Sequence, residues 1–119
     1  MQPILKYPGA KMLYLIHPIS GSGTEKERTQ NISEIRRLSR MLSNQGYNVI
    51  SPYYVYGYLD DTIPEERTHA LKCCLQLLET VHEGGGQAIV FGDWENSEGC
   101  KMELRLCQEL GIRIKGDYE

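Results

Sequence analysis

The apolar residues of this chain fall into short continuous runs that alternate with longer segments of helical period. The runs at 12–16, 47–50 and 87–91 predict three buried strands, because strands covered on both faces are apolar throughout. A fourth, shorter strand is predicted at 112–114. A parallel sheet needs helical connections between such strands, and the intervening segments have the pattern for them.

Three helices are predicted between the strands. The first begins at a capping-box-like pair, Asn31 and Glu34, and ends near Gly46. The second spans about 62–83 and opens with an N-cap residue, an early proline and two acidic residues. The third follows a polar loop, is capped by a serine and ends at Gly111.

This alternation predicts an α/β fold, a single-domain three-layer sandwich of the flavodoxin or Rossmann type. We expect a four- or five-stranded parallel sheet with helices on both faces. Residues 1–11 are expected to form an irregular N-terminal arm and residues 12–119 the domain. Ligands of open parallel sheets bind beyond the carboxyl ends of the strands. The loops at 20–23, 53–61 and 92–99 should therefore surround one cleft.

The composition is that of an ordinary globular domain, with 40% hydrophobic and 24% charged residues. The net charge of −3 offers no basic field for nucleic acid. No apolar run approaches the ~20 residues that cross a bilayer, and the N-terminus lacks signal-peptide zones. We therefore expect a cytoplasmic protein without membrane or nucleic-acid partners.

The cysteines and histidines do not form a metal-binding pattern. All four cysteines fall within helical patterns, which favours reduced core thiols over a disulfide framework. They show no C-x-x-C spacing, and the three histidines are scattered, so no metal site is expected. The cysteines are Cys73, Cys74, Cys100 and Cys107.

Glu103 is the one acidic residue on an otherwise apolar helical stripe. Cys100 and Cys107 share this stripe, whereas Arg105 lies on the opposite, polar face. An inward carboxylate is costly to bury without partners. Either function retains it, or it is a structural residue held by a partner such as Tyr14 or His17.

Two of the cleft loops have suggestive compositions. The loop Ser20–Gly23 is rich in glycine and serine, so its backbone N–H groups can cradle a phosphate; a flexible connector is an equal alternative. The loop at 53–62 holds four of the eight tyrosines and two aspartates. Tyrosine suits either stacking on a base or sugar, or contact with its own protein or another subunit.

Three segments, taken in order, resemble the nucleoside 2-deoxyribosyltransferase-like superfamily. Residues 13–19 resemble its first strand, and residues 91–104 resemble its signature of a Trp followed by Ser-x-Gly-x-x-x-Glu. Residues 59–67 are similar to a motif of small, often phage-borne members. The likeness covers residues 12–114 and extends to 2′-deoxynucleoside 5′-monophosphate N-hydrolase-like members.

The resemblance implies a catalytic carboxylate. Glu103 would attack C1′ of a nucleoside or nucleotide, displace the base and form a glycosyl ester that water or a second base resolves. Tyr14 would lie near the sugar. Ser97 stands where relatives acting on nucleoside 5′-monophosphates have Ser and those acting on free nucleosides have Asp. The implied partner is therefore a small-molecule nucleotide or nucleoside, of which Ser97 favours the nucleotide, and no cofactor is implied.

Two acids of the family pattern are missing, at positions that fall among 75–78 and 86–87. Asp60, Asp61 or Asp93 are candidate substitutes, and Asp93 joins Glu103 and Tyr14 as a catalytic candidate. The candidate ligand-binding residues are His17, Pro18, Ser20, Gly21, Ser22, Gly23, Asp60, Asp61, Trp94, Ser97 and Gly99.

The missing acids leave three functions open: an N-glycosidase or deoxyribosyltransferase, a nucleotide binder with little turnover that sequesters a signal for a phage, and a structural or interaction protein. The relatives assemble as dimers or larger, so the resemblance also implies a homodimer or a higher homo-oligomer.

Overall fold

The computed structural model describes residues 9–21 and 23–116. Most of the predicted N-terminal arm, Ser22 and residues 117–119 lie outside the described residues. The elements in chain order are β1 (Lys11–Ile16), α1 (Glu25–Asn44), β2 (Tyr47–Ile50), α2 (Pro52–Tyr56), α3 (Pro64–Glu83), β3 (Gln87–Val90), a 3₁₀ turn (Trp94–Asn96), α4 (Glu98–Leu110) and β4 (Ile114–Gly116).

The four strands form one parallel sheet in the order β2-β1-β3-β4. Strand β1 pairs with β2, where Tyr14 lies opposite Ile50, and with β3, where Ile16 lies opposite Val90. Helix α1 covers one face of the sheet, and α3 and α4 cover the other. This arrangement confirms the predicted α/β three-layer sandwich with a four-stranded parallel sheet.

Strand β1 divides the core between the two faces. Leu13 and Leu15 pack with Ile35, Leu38 and Leu42 of α1. On the other face, Tyr14 and Ile16 pack with Leu78 and Val81 of α3 and with Cys100, Leu104 and Cys107 of α4. Both faces of β1 are covered, which explains why its sequence is continuously apolar instead of alternating.

The start of α1 differs from the prediction at Asn31. The helix begins six residues earlier at Glu25, because the Thr24 hydroxyl accepts a 3.2 Å hydrogen bond from the Glu27 N–H and caps it. Asn31 lies within the helix, where its Nδ2 donates to the Ile19 carbonyl at 3.0 Å. Asn31 therefore ties α1 to the loop that follows β1.

The segment predicted as a loop at 53–62 contains the short helix α2, which starts at Pro52. Helix α3 is capped at Ile63 and not at Thr62. The Thr62 N–H and hydroxyl instead donate to Asp60 Oδ1, at 2.9 and 2.6 Å. This local turn competes with capping for the same side chain.

The last helix ends as predicted, but the last strand lies later. Gly111 adopts φ 74° and closes α4. The Ile112 N–H then donates to the Cys107 carbonyl at 2.9 Å, so Ile112 belongs to the helix cap and β4 starts at Ile114. The predicted strand at 112–114 was therefore placed two residues too early.

The strand order reverses between β1 and β3. The chain leaves β1 through α1 toward β2 on one side, and leaves β3 through α4 toward β4 on the other. Gly92, just after β3, has φ 80°, and a Cβ there would lie 2.9 Å from His17 Nε2 and 3.0 Å from Pro18 Cδ. Because His17 and Pro18 are buried, they have little room to move away.

Gly92→Ala is expected to destabilise the fold more than Gly85→Ala. Both glycines have nearly the same φ, 80° and 82°, but a Cβ at Gly85 meets nothing within 4 Å. We expect Gly85→Ala to cost about 1–2 kcal/mol from backbone strain alone, and Gly92→Ala about 1–3 kcal/mol more from overpacking. Urea denaturation measures the free energy of unfolding of both variants. Equal losses of stability would contradict the close packing of His17 on Gly92.

Candidate functional site

A cavity of about 330 Å³ opens at the carboxyl edge of the sheet, where the strand order reverses. Its wall combines residues from both faces: Leu15 and Ile35 from the α1 face, and Cys74 and Glu103 from the α3–α4 face. The volume lies at the lower end of the roughly 300–1,000 Å³ of small-molecule sites. Its position is the one expected for a ligand site of an open parallel sheet.

Glu103 lies in the cavity wall and is 7% exposed. It faces β1, where the Tyr14 hydroxyl donates a short hydrogen bond to Glu103 Oε2. Tyr14 is fully buried, and its hydroxyl also lies 3.2 Å from the Cys74 carbonyl of α3. Helix α4, strand β1 and helix α3 thus meet at one carboxyl group.

Burial dominates the ionisation of this cluster. It raises the pKa of Glu103 from 4.5 to about 7, against the lowering effect of the Tyr14 hydrogen bond. Burial and then the charge of Glu103 raise the pKa of Tyr14 well above its ordinary value. The same two causes raise the pKa of the Cys74, Cys100 and Cys107 thiols to about 12. These thiols are therefore protonated at neutral pH, whereas the pKa of Glu103, at about 7, lies close to it.

The Tyr14 hydroxyl has one proton to donate and two acceptors within reach, Glu103 Oε2 and the Cys74 carbonyl. When Glu103 is ionised, Tyr14 donates to the carboxylate. When Glu103 is protonated, its O–H can donate to the Tyr14 oxygen while Tyr14 donates to the Cys74 carbonyl. Both protonation states keep their hydrogen bonds, so Glu103 can exchange a proton near neutral pH without leaving a buried group unpaired.

The N-terminus of α4 forms another part of the wall. Ser97 is the N-cap, as predicted, and its hydroxyl accepts from the Cys100 N–H at 3.2 Å. The N–H groups at the start of a helix have no partner within the helix, so those of Glu98 and Gly99 remain available. Gly99 is not required sterically, because a Cβ there would only reach ordinary contact with Leu71 at 3.8 Å.

Asp61 lies in the wall but is already engaged. It forms an ion pair with Arg28 of α1 and accepts a 3.2 Å hydrogen bond from the Ser20 hydroxyl. Gly21, next to Ser20, also lines the cavity. Asp61 therefore connects the loop after β1 with the segment before α3, and its charge is balanced by Arg28.

Several predicted site residues lie outside the cavity wall. Asp60 is exposed and binds Thr62, and Asp93 is exposed with its carboxylate accepting from Asn96 Nδ2 at 3.0 and 2.8 Å. Trp94 is half-buried against the apolar cluster under α3 and α4. Gly23 is exposed, and Ser22 is outside the described residues. Neither Asp60 nor Asp93 supplies the missing acid to this cavity.

His17 and Pro18 form the end of the wall nearest β1. His17 is 7% exposed, and its Nδ1 lies 2.7 Å from the Pro18 carbonyl, to which it can donate. His17 Nε2 lies 3.5 Å from Glu34 Oε2 and has no hydrogen-bond partner among the described residues. The ring packs against Gly92, just after β3.

Sequence reasoning missed several residues of the wall. Ser51 follows β2, and Arg67 and Cys74 come from α3. Tyr53 and Asn96 were not named as site residues, but they belong to loops that were predicted to surround the cleft. The position of Ser51 directly after a predicted strand was a usable signal, since ligand sites lie beyond strand ends. Arg67 and Cys74 gave no such signal, because only the packing of α3 across the sheet brings them to the cavity.

A second depression, of about 570 Å³, lies along α1 and β2. Most of its wall is exposed, including Arg36, Arg40 and Asn44. It contains no buried titratable side chain, whereas the smaller cavity contains Glu103. We therefore assign the candidate site to the smaller cavity.

Fold and site define an α/β protein with a ligand-sized cavity at the switch point of a parallel sheet. The chain belongs to the family described as Domain of unknown function (DUF7768), whose model matches residues 11–117. No curated protein and no solved structure matches the chain. In the described part of the chain, none of the helices combines the length and apolarity needed to span a bilayer.

Glu103 should make the free energy of unfolding depend on pH. Its pKa is about 7 in the folded protein against an ordinary 4.5, so the folded state holds a proton that the unfolded chain releases. This contribution is complete below pH 4.5 and is lost as the pH rises through 7. Relative to Glu103→Gln, the stability of the wild type should fall by roughly 3 kcal/mol across this window, measured by urea denaturation at stepped pH.

Two further variants test the cause of this pH dependence. Glu109→Gln removes an exposed carboxylate from the outer face of the same helix and should leave the pH dependence unchanged. Tyr14→Phe should move the loss of stability to higher pH, because the Tyr14 hydrogen bond lowers the pKa of Glu103. Parallel pH profiles for the wild type and Glu103→Gln would contradict the raised pKa.

Proposed function

We propose that this protein cleaves or exchanges the N-glycosidic bond of a nucleoside or deoxynucleoside 5′-monophosphate, with Glu103 as the nucleophile. The observation that carries the proposal is the buried Glu103 carboxyl in the cavity wall, hydrogen-bonded by Tyr14. A carboxylate at this position is the group that the resemblance to the deoxyribosyltransferase-like superfamily implies. Its spacing from Ser97 and Gly99, which also line the cavity, supports the same interpretation.

The reaction divides into two steps. Ionised Glu103 attacks C1′, the bond from C1′ to the base nitrogen breaks, and the electron pair leaves with the base, which takes a proton from water. Water then adds to C1′ of the glycosyl ester and releases the sugar phosphate and Glu103, or a second base nitrogen adds instead. Because Tyr14 binds Oε2, the Oε1 atom is left to attack.

The phosphate end of such a ligand finds positive potential at the N-terminus of α4 and at Arg67. Arg67 lines the cavity and forms no ion pair with the described residues. The first N–H groups of α4 and the positive end of its dipole favour an anion at the same wall. Together these groups support a 5′-monophosphate over a free nucleoside.

A second candidate function is a nucleotide binder with little turnover. One observation favours it: Asp61, which lines the cavity, is paired with Arg28 and therefore does not serve as an acid for the leaving base. General acid catalysis typically contributes about 10²–10⁴-fold, so its loss slows base release by that order. The two functions share one binding site and differ only in turnover.

Glu103→Gln should abolish base release while retaining binding. The amide cannot form the glycosyl ester, so we expect the rate to fall by several orders of magnitude. The wild-type rate should rise with pH through about 7 as Glu103 ionises. Free base is measured by chromatography over a panel of the four deoxynucleoside and four ribonucleoside monophosphates.

Glu109→Gln is the matched control and should keep the wild-type rate, because Glu109 is exposed on the outer face of α4. If the wild type binds a nucleotide tightly and returns it intact, the binder is the correct function. Absence of both binding and base release over the whole panel would refute both functions.

Arg67→Gln should weaken binding of a monophosphate by about fivefold to tenfold, because one charge-assisted contact to the phosphate is lost. Binding of the corresponding nucleoside should not change. Arg105→Gln, an exposed arginine of α4 outside the cavity wall, is the control. Calorimetric titration of both ligands to the wild type and to each variant measures these affinities. Equal losses for nucleotide and nucleoside in Arg67→Gln would contradict a contact of Arg67 with the phosphate.

A further inference from the structure

The part of the cavity wall that follows β2 is uncharged. Ser51, Pro52 and Tyr53 form this part, directly after the strand. The acidic and arginine side chains of the wall come from other elements; they are Asp61, Arg67, Glu98 and Glu103. Pro52 has no N–H, and α2 is only five residues long, so this end of the cavity offers no anion site.

Ser51 lines the cavity, and its hydroxyl makes no hydrogen bond to the described residues. The residue is 5% exposed, and its side chain makes no capping hydrogen bond to α2. No other partner for this hydroxyl lies among the described residues. A hydroxyl in a cavity wall without a protein partner keeps its donor and acceptor capacity for a ligand.

Tyr53 contributes an aromatic ring to the same cavity wall. The ring is half-buried against the apolar cluster on the α1 face and packs edge-on to Tyr54, with centroids 5.3 Å apart and planes at 71°. An aromatic ring and a neutral hydroxyl in one wall suit a flat, uncharged heterocycle with polar edges. A nucleobase has this chemistry, whereas a phosphate does not.

The strand order separates this subsite from the other two. Strand β1 contributes Tyr14, which holds Glu103 and so marks where C1′ must lie. Strand β2 pairs with one edge of β1, and β3, which leads to the N-terminus of α4, pairs with the other. The base, the sugar and the phosphate therefore correspond to the ends of β2, β1 and β3 in that order.

We infer that Ser51 and Tyr53 form a base-binding subsite, in which Tyr53 stacks on the base and the Ser51 hydroxyl binds its edge and selects among bases. The inference rests on the proposed function, since it assumes a nucleotide in this cavity. Selection among bases then depends on Ser51, which contacts neither the proposed nucleophile nor the phosphate.

Ser51→Ala tests the subsite in a Glu103→Gln background, where nucleotides stay intact. Calorimetric titration uses the four deoxynucleoside 5′-monophosphates and 2-deoxyribose 5-phosphate, which lacks a base. We expect Ser51→Ala to weaken binding of the preferred nucleotide about tenfold, so that the four nucleotides bind with similar affinities. The affinity for the sugar phosphate should change by less than about twofold. Tyr53→Leu should weaken the binding of all four nucleotides to the same extent.

Ser39→Ala is the matched control. Its hydroxyl is buried and has no hydrogen-bond partner among the described residues, but it lies on α1 in the other depression. It should leave every affinity unchanged. The melting temperature of Ser51→Ala should stay close to that of its parent, because the hydroxyl removed makes no hydrogen bond to the described residues.

Unchanged nucleotide affinities in Ser51→Ala would overturn the inference, as would an equal loss for the sugar phosphate. Failure of the proposed catalysis is a separate result: the wild type then releases no base, yet Ser51→Ala still levels the affinities. Absence of nucleotide binding in every variant would overturn both.

Discussion

The hydrogen bond between the Tyr14 hydroxyl and the Glu103 carboxylate joins an interior strand of the sheet to the helix that covers it. A carboxyl this deeply buried is costly to ionise, and Tyr14 offsets part of that cost. The sheet must place Tyr14 under α3 and α4 for the bond to form, so strand register, helix packing and ionisation depend on one another here. Displacing any of the three elements would leave a buried carboxyl without its partner.

The switch in strand order determines what surrounds this pair. Because β1 and β3 lead away in opposite directions, no connection crosses the space between their ends, and the cavity lies there. Gly92 lets the chain turn at that point against the His17 ring. The wall therefore draws on the segments after three strands and on four helices, and it combines an uncharged side with a charged one.

The fold followed from the sequence to a large extent, because its strongest signals are local. The apolar runs located three strands nearly to the residue, and Ser97 and Gly111 marked both ends of α4. The start of α1 was misplaced because Thr24 and Asn31 both have capping chemistry, and only the contact of Asn31 with Ile19 decides between them. Glu103 was recognisable as a single acidic residue on an apolar stripe. By contrast, the engagement of Asp61 by Arg28 depends on residues 33 positions apart, and no local pattern encodes it.

The bridge from Arg28 to Asp61 and Ser20 differs in kind from the bond between Tyr14 and Glu103. Both of its charged side chains are partly exposed, so dissolved ions reach them, and at 0.1 M salt the screening length is already about 10 Å. Raising the ionic strength therefore weakens the ion pair between Arg28 and Asp61, and hardly affects the buried hydrogen bond between Tyr14 and Glu103. Salt is therefore expected to loosen the loop after β1 and the segment before α3, which Asp61 joins, and so to raise the rate of ligand exchange. The buried carboxyl of Glu103 keeps its partner.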